Sequence, residues 1–165
     1  MKRRVTIGIL CILTAVLQTT LLSYIQIASI RPNLPVILTA SFALMCGRET
    51  GMTVGFFTGL LLDFFGGGIL GFYALIYTLI GYFAGYTYRI FYDDDIKTPL
   101  LLIGICDLAY GICQYVTTFL IRGRIHLFFY LRRIIIPEVI YTVIFAVFLY
   151  QLNYYSNKKT RRAYY

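Results

Sequence analysis

Charge is scarce in this sequence. Aspartate, glutamate, lysine and arginine make up 13% of its 165 residues, whereas a soluble domain carries about 25%. Hydrophobic residues make up 59%, and the mean hydropathy is +0.75. So few polar side chains cannot cover a surface that faces water. The composition therefore excludes a soluble globular fold and indicates that most of the chain lies in lipid.

Residues that carry catalysis or bind metals are also sparse. The four cysteines stand singly inside apolar runs, without a CxxC pair, and are best interpreted as small buried apolar side chains. The single histidine has no cysteine or carboxylate near it in sequence. No Ser-His-Asp arrangement, phosphate-binding loop or HExxH motif occurs. We therefore expect no enzyme activity, no cofactor and no metal site.

Acidic residues are few, which leaves a net charge of +8. The basic residues cluster at the two ends and between apolar runs, in "MKRR", "RGR", "LRR" and "KKTRR". Membrane proteins place basic residues in this way to set their orientation and to meet anionic lipid headgroups. A nucleic-acid-binding surface would need a basic stripe interleaved with aromatic residues, and none is present. We expect anionic lipids, and not nucleic acid, as the partner of these charges.

Six apolar segments predict an all-α integral membrane protein, a six-span polytopic helical bundle in a single domain. Breaks such as "RPNLP" and "FGGGI" separate them, because proline cannot continue a helix. A span needs about 20 apolar residues, so the second and third segments are short. They either cross a thinned bilayer or form a buried hairpin. The predicted spans are 5–30, 33–47, 50–66, 69–88, 98–121 and 134–153, followed by a short basic tail at 154–165.

The basic residues predict the orientation of these spans. With six spans and a cytoplasmic N-terminus, ten lysines and arginines fall on the cytoplasmic side and five on the other. Both termini are therefore predicted to be cytoplasmic. The loop 122–133 places four arginines on the outer side, against this rule. An interfacial segment with arginines at the headgroups would account for them.

Glycine recurs at every fourth position from Gly47 to Gly71, except that Asp63 takes the fifth place. This spacing puts small residues along one helix face, so that a neighbouring backbone can approach closely, which is a main source of helix association in lipid. The stripe either packs against another helix of this chain or accepts a helix of another protein. The glycines of this line and of its repeat in the fourth segment are Gly51, Gly55, Gly59, Gly71, Gly81 and Gly85.

Asp63 ends the glycine line inside an apolar segment. A charged aspartate at mid-membrane costs about 2.5 to 3.5 kcal/mol on insertion scales, so this side chain needs a partner or a place near the interface. Three interpretations stay open: a cap on the turn at "FGGG", a hydrogen bond to another helix or to a partner protein, and a ligand for an ion or substrate.

Three further polar residues lie inside predicted spans. Asp107 lies in the fifth segment, Gln114 follows it seven residues later on the same helix face, and Gln18 lies midway along the first segment. They could form an internal polar cluster, satisfied across helices. A transporter would use the same residues for a coupled ion, so both interpretations are kept.

The stretches "LQTTLLSYIQIASIRPNLPVIL" and "GFFTGLLLDFFGGGILGFYALIYTLIGYFAG" together resemble the family of the bacterial rod shape-determining protein MreD. The resemblance is close over residues 15–88. Beyond them it rests on the number of spans, the length and the basic tail. The positions that carry it are Gln18, Pro32, Pro35, Gly55, Gly59, Asp63, Gly71 and Gly85.

The resemblance implies a non-enzymatic scaffold in the bacterial cytoplasmic (inner) membrane. In that family the expected partner is MreC, with indirect links to MreB filaments, the RodA-type polymerase and the class B transpeptidase. The family also resembles the six-helix membrane subunits of energy-coupling-factor vitamin transporters. A substrate-binding transport subunit is therefore the alternative. It predicts a cavity lined by converging polar groups, with Asp63, Asp107 or Gln18 facing it.

Overall fold

The computed structural model describes residues 2–21, 24, 31–66, 69–87, 97–117 and 127–162. This part of the chain is helical and contains no strand, which confirms the all-α fold class. Leu17–Leu21 is a π-helical segment that continues the first helix, and Leu131–Ile135 is one that leads into the last. The α-helices are α1 (Lys2–Val16), α2 (Leu34–Cys46), α3 (Arg48–Gly66), α4 (Phe72–Tyr86), α5 (Lys97–Tyr115), α6 (Leu127–Tyr130) and α7 (Ile136–Arg162).

The helices differ in how well their length suits a bilayer. Within the described ranges, α5 is the one helix long and apolar enough to cross a membrane by length and composition. Shorter apolar helices occur at Arg4–Thr20, α2 and α4. The 13 residues of α2 extend about 20 Å at 1.5 Å per residue, against a hydrocarbon core of about 30 Å. The six spans, and with them the location of the termini, stay a prediction.

Parts of the predicted segments lie outside the described residues. These parts are 22–23 and 25–30 of the first segment, 88 of the fourth and 118–121 of the fifth. The same holds for 122–126 of the arginine-rich loop and for 163–165 of the basic tail.

Asn33 lies at the start of α2, and glycines lie at the end of α2 and before α4. Asn33 caps α2, because its side-chain oxygen accepts a hydrogen bond from Val36 N at 3.4 Å. Gly47 ends α2 with a φ of 90°, and Gly71 precedes α4 with a φ of 94°. Residues with a side chain rarely adopt these positive φ values, so glycine is suited to both positions. Helix α3 runs antiparallel to both α2 and α4, since Gly51 near its start faces Ala43 near the end of α2 and Gly81 near the end of α4.

Helix α2 forms the centre of the bundle. Every residue from Leu34 to Ala43 is buried, and α1, α3, α4, α5 and α7 all contact this helix. The outer faces of the surrounding helices carry large exposed apolar side chains, among them Ile9, Phe57 and Phe83. A water-soluble protein rarely exposes so much apolar surface. This arrangement fits a bundle whose outside meets lipid.

One end of the bundle carries most of the polar contacts. The C-terminal ends of α1, α3 and α5 meet the N-terminal ends of α2, α4 and α7 there, around a common cavity. We call this region the cavity end. In the predicted orientation it faces away from the cytoplasm.

Candidate functional site

The glycine line of α3 faces other helices of the same chain. A Cβ placed on Gly59 would lie 2.5 Å from the Cα of Ala74, and one on Gly55 would lie 2.6 Å from the carbonyl carbon of Tyr77. On Gly51 it would lie 2.5 Å from the Cβ of Ala43. Real Cβ atoms essentially never come this close to backbone atoms. The absence of side chains on this line therefore allows α3 to pack on α4 and on α2.

The glycines of α4 complete this contact from the other side. A Cβ on Gly81 would lie 2.8 Å from Met52 N, and one on Gly85 would lie 2.8 Å from Arg48 N. Small residues on both helices thus bring the two backbones together along most of their length. The contact between α3 and α4 is the most extensive one in the described part of the bundle. Within the chain, the glycine line of α3 therefore lies against α4 and, at Gly51 and Gly55, also against α2.

Asp63 lies where the glycine line ends and caps the next helix. Its carboxylate accepts hydrogen bonds from three backbone N–H groups: Gly71 at 3.0 Å, Tyr73 at 3.1 Å and Ala74 at 3.1 Å. A helix is normally capped by the side chain of the residue before it, and Gly71 has none. Asp63 supplies that cap from α3. The carboxylate is also favoured by the partial positive charge of the α4 N-terminus.

Burial makes this cap more important than a surface cap would be. Asp63 is only 2% exposed, so water does not replace it as the partner of the N–H groups. Free N–H groups at a helix start are costly in an apolar medium. The structure thus gives Asp63 an interhelical structural role, and the N–H groups that donate to its carboxylate lie beyond the "FGGG" turn.

Gln18 caps α2 in a similar way. Its side-chain oxygen accepts a hydrogen bond from Leu34 N at 3.2 Å. The adjoining backbone N–H of Asn33 donates to the hydroxyl of Thr142 at 3.1 Å. Pro32 and Pro35 are both buried beside these contacts, and neither has an N–H that needs a partner. Gln18, from the π-helical segment that follows α1, and Thr142, from α7, therefore fix the start of the central helix α2.

A buried polar cluster lies directly beneath this cap. The hydroxyl of Tyr77 donates to the side-chain oxygen of Asn33 at 3.1 Å. The side chains of Asn33 and Thr142 face the carboxylate of Asp107, which is 1% exposed. Within the described residues, neither Asp107 oxygen makes a contact with hydrogen-bond geometry. The cluster connects α2, α4, α5 and α7 at the cavity end.

The hydroxyl of Thr142 supplies a testable part of this cluster. Replacing Thr142 with valine keeps the shape but leaves the buried N–H of Asn33 without an acceptor, which costs about 1–3 kcal/mol. Serine keeps the hydroxyl and loses one methyl group, worth about 0.8 kcal/mol. We expect the valine variant to have the lower melting temperature in detergent. A valine variant at least as stable as the serine variant would show that this hydrogen bond contributes no more than the lost methyl group, which would contradict the expectation.

A polar cavity opens beside the cluster. Its volume is about 410 Å³, within the range of about 300–1,000 Å³ found for ligand pockets. Gln114 donates weakly to the hydroxyl of Tyr73 at 3.5 Å, and the rings of Tyr77 and Tyr110 stack with centroids 5.4 Å apart. The polar and aromatic residues of its wall are Gln18, Thr19, Arg31, Asn33, Gln114 and Glu138, with Tyr73, Tyr77, Tyr110 and Tyr130.

The structure brings together some of the residues predicted as a polar cluster and separates others. Gln18 and Gln114 line the same cavity. Asp107 lies behind its wall, next to Asn33, and Asp63 points instead to the start of α4. The cavity predicted by the transport alternative is present, and of its three candidate residues only Gln18 lines it.

Sequence reasoning missed Asn33, Tyr77, Tyr110 and Thr142. One signal was available for Asn33: an asparagine just before an apolar helix with proline in its first turn is typical of an N-cap. Tyr73 and Tyr77 are four residues apart, which places both on one helix face. Nothing in the sequence pairs Thr142 with Asn33, because 109 residues separate them.

These features define a helical bundle with an apolar outside, whose polar groups hold helices together. Among described residues, no group of three histidine, cysteine or acidic side chains could hold a metal ion. A family model of the rod shape-determining protein MreD matches residues 2–155, and the chain belongs to that family. The match extends well past residues 15–88, where the sequence motifs lie. No curated protein and no solved structure matches the chain.

Proposed function

We propose that this chain is a non-enzymatic membrane scaffold subunit of the bacterial cell-elongation complex. In this role it regulates cell shape by coupling MreC and the MreB cytoskeleton to the peptidoglycan synthases, namely the RodA-type polymerase and the class B transpeptidase. The observation that carries the proposal is the family match over residues 2–155, since this family determines rod shape. The matched family is not a known enzyme family.

The packing of the bundle supports a scaffold and restricts where partners bind. Because α4 fills the glycine groove of α3, a partner helix has to contact the outer faces of the bundle. Those faces are apolar and include Val5 and Ile12 of α1 and Phe57 and Phe64 of α3. In lipid, a single-span protein such as MreC would associate with them by close packing. The proposed location is the cytoplasmic membrane, with both termini in the cytoplasm.

Depletion in a rod-shaped host tests this function. We expect cells depleted of their own MreD family protein to round or swell, and expression of this chain to restore rods. A host strain that carries an empty vector is the control, and microscopy gives the ratio of cell length to width. MreC should co-purify with the tagged chain in mild detergent. Rounded cells that contain folded chain in their membranes would contradict the proposal.

A second candidate function is favoured by one observation, the polar cavity at the cavity end. A substrate-binding membrane subunit of an energy-coupling-factor-type vitamin transporter would need such a pocket. A vitamin that raises the melting temperature of the purified chain would favour this candidate over the scaffold. We expect no vitamin to do so, since the residues of the family pattern, Gln18 and Asp63, cap helices.

A further inference from the structure

Two neighbouring arginines lie at the end of an apolar stripe on the outside of the bundle. The stripe runs along α7, where the exposed side chains of Ile136, Ile140 and Ile144 follow one another at intervals of four residues and are neighbours on the helix surface. Arg132 precedes Ile136 by the same interval, and both Arg132 and Arg133 are exposed. In a membrane bundle such a stripe faces acyl chains, so a cation at its end lies at the depth of the lipid headgroups.

The aromatic residues before the two arginines fit the boundary between acyl chains and headgroups. Phe128 is 86% exposed and Phe129 is 61% exposed, although large apolar side chains in water are unfavourable. The guanidinium carbon of Arg133 lies 5.4 Å from the centre of the Phe129 ring. This cation–π contact uses the face of the ring, so the N–H groups of the guanidinium stay able to donate to an acceptor.

A second part of the cavity end exposes apolar side chains in the same way. Four large apolar residues at the end of α3 and before α4 are more than half exposed, namely Phe64, Phe65, Ile69 and Leu70. The last two lie at the end of the bundle, between two helices, and not along the side of a helix. Two separate elements thus indicate that apolar surroundings reach the cavity end, as they would if the acyl region of the bilayer extended to it.

We propose that Arg132 and Arg133 bind the phosphate of an anionic phospholipid in the leaflet at the cavity end. Guanidinium groups form paired, charge-assisted hydrogen bonds with phosphate oxygens. Two adjacent positive charges favour a lipid with a net negative charge over a zwitterionic one. Phe128 and Phe129 would lie among the upper parts of the acyl chains. In the predicted orientation this is the outer leaflet.

The inference goes beyond the function proposed above. It also goes beyond the interfacial segment expected from the sequence, because it names the two arginines, the leaflet and the class of lipid. It rests on the outer surface of the chain alone. A negative result would therefore leave the cell-shape role untouched.

A single fluorescent reporter tests the site. The chain has no tryptophan, so the full-length Phe128→Trp variant reports on this position alone. It is reconstituted into phosphatidylcholine vesicles that contain either dibrominated phosphatidylglycerol or dibrominated phosphatidylcholine, because bromine on acyl chains quenches a tryptophan that it contacts. We expect both lipids to quench and acrylamide, a quencher in water, to have little effect. The dependence on lipid fraction should show phosphatidylglycerol binding about five- to thirtyfold more tightly, since each arginine near a membrane surface contributes about 1 kcal/mol.

Two double variants of the reporter chain assign this preference to residues. Arg132→Gln with Arg133→Gln should bring the ratio of the two binding constants close to one. The matched control is Arg4→Gln with Lys97→Gln. Both control residues are exposed and lie at the starts of α1 and α5, at the opposite end of the bundle, so the preference should remain. If the arginine variant does not fold, the comparison of the two lipids on the reporter chain decides.

Three results would overturn the proposal. The first is equal binding of the two lipids by the reporter chain. The second is a preference for phosphatidylglycerol that persists in the folded Arg132→Gln, Arg133→Gln variant. The third is quenching by acrylamide without quenching by either brominated lipid. That result would show that this surface faces water, as a docking site for a soluble protein would.

Discussion

Replacing Gly55 with alanine is expected to destabilise the protein by about 1–3 kcal/mol, the usual range for overpacking a close-packed interior. The added methyl group would meet the backbone of Tyr77, with its carbonyl carbon at 2.6 Å. A backbone group cannot rotate away as a side chain can, so α3 and α4 would have to separate. The gain in helix propensity from glycine to alanine, at most about 1 kcal/mol, opposes this effect and does not cancel it. The free energy of unfolding in mixed micelles measures the difference.

Gly8 is the matched control for this substitution. It lies in α1, and a Cβ placed there has nothing within 4 Å. Gly8→Ala should therefore leave stability unchanged or raise it by about 0.5–1 kcal/mol through helix propensity. If the two variants behaved alike, the close contact at Gly55 would have no energetic importance.

Replacing Asp63 with alanine should have the largest effect of any substitution at a single polar residue described here. Three backbone N–H groups at the start of α4 lose their acceptor, that of Ala74 in a buried position and those of Gly71 and Tyr73 in part-buried ones. An unsatisfied buried donor costs about 1–3 kcal/mol, and the two part-buried donors add to it, so we expect a total loss of about 3 kcal/mol. Asparagine keeps one acceptor oxygen and should have an intermediate effect. Melting temperatures should therefore fall in the order aspartate, asparagine, alanine.

The asparagine variant also distinguishes, in cells, between a structural role of Asp63 and a requirement for its negative charge. If Asp63→Asn folds and supports rod shape, the carboxylate acts through its hydrogen bonds, as the cap on α4 implies. If this variant is as stable as the unmodified chain yet fails to support rods, Asp63 has a role in partner contact or ion binding that the cap does not explain. The exposed Glu49→Gln is the control for loss of a carboxylate in α3.

The sequence predicted the helical fold and the spacing of the glycine line because both are local properties. Hydrophobic runs, breakers and a four-residue repeat can be read along the chain without knowledge of tertiary contacts. The same reasoning placed Asp63 at the end of the glycine face. It could not name the three N–H groups that donate hydrogen bonds to Asp63, because their positions depend on how the chain enters α4.

The polar cavity could not be predicted, because its residues come from distant parts of the chain. Gln18, Asn33, Gln114 and Glu138 line one cavity only because the helix ends alternate around α2. Asp107 lies outside the cavity for a different reason. It shares a helix face with Gln114 by spacing, but it lies seven residues, about 10 Å, further from the cavity end along α5, behind the cavity wall and next to Thr142. How deep the cavity reaches is set by the packing of the other helices, which periodicity alone does not determine.

The central claim is that the glycine line packs against helices of its own chain, and a double-mutant cycle tests it most directly. A methyl group on Gly51 would lie 2.5 Å from the Cβ of Ala43, so removing that Cβ should relieve part of the clash. We expect Gly51→Ala to cost less in an Ala43→Gly background than in the unmodified chain, by about 0.5 kcal/mol or more, as is usual for residues in contact. Equal costs in both backgrounds, measured as free energies of unfolding, would contradict the claim.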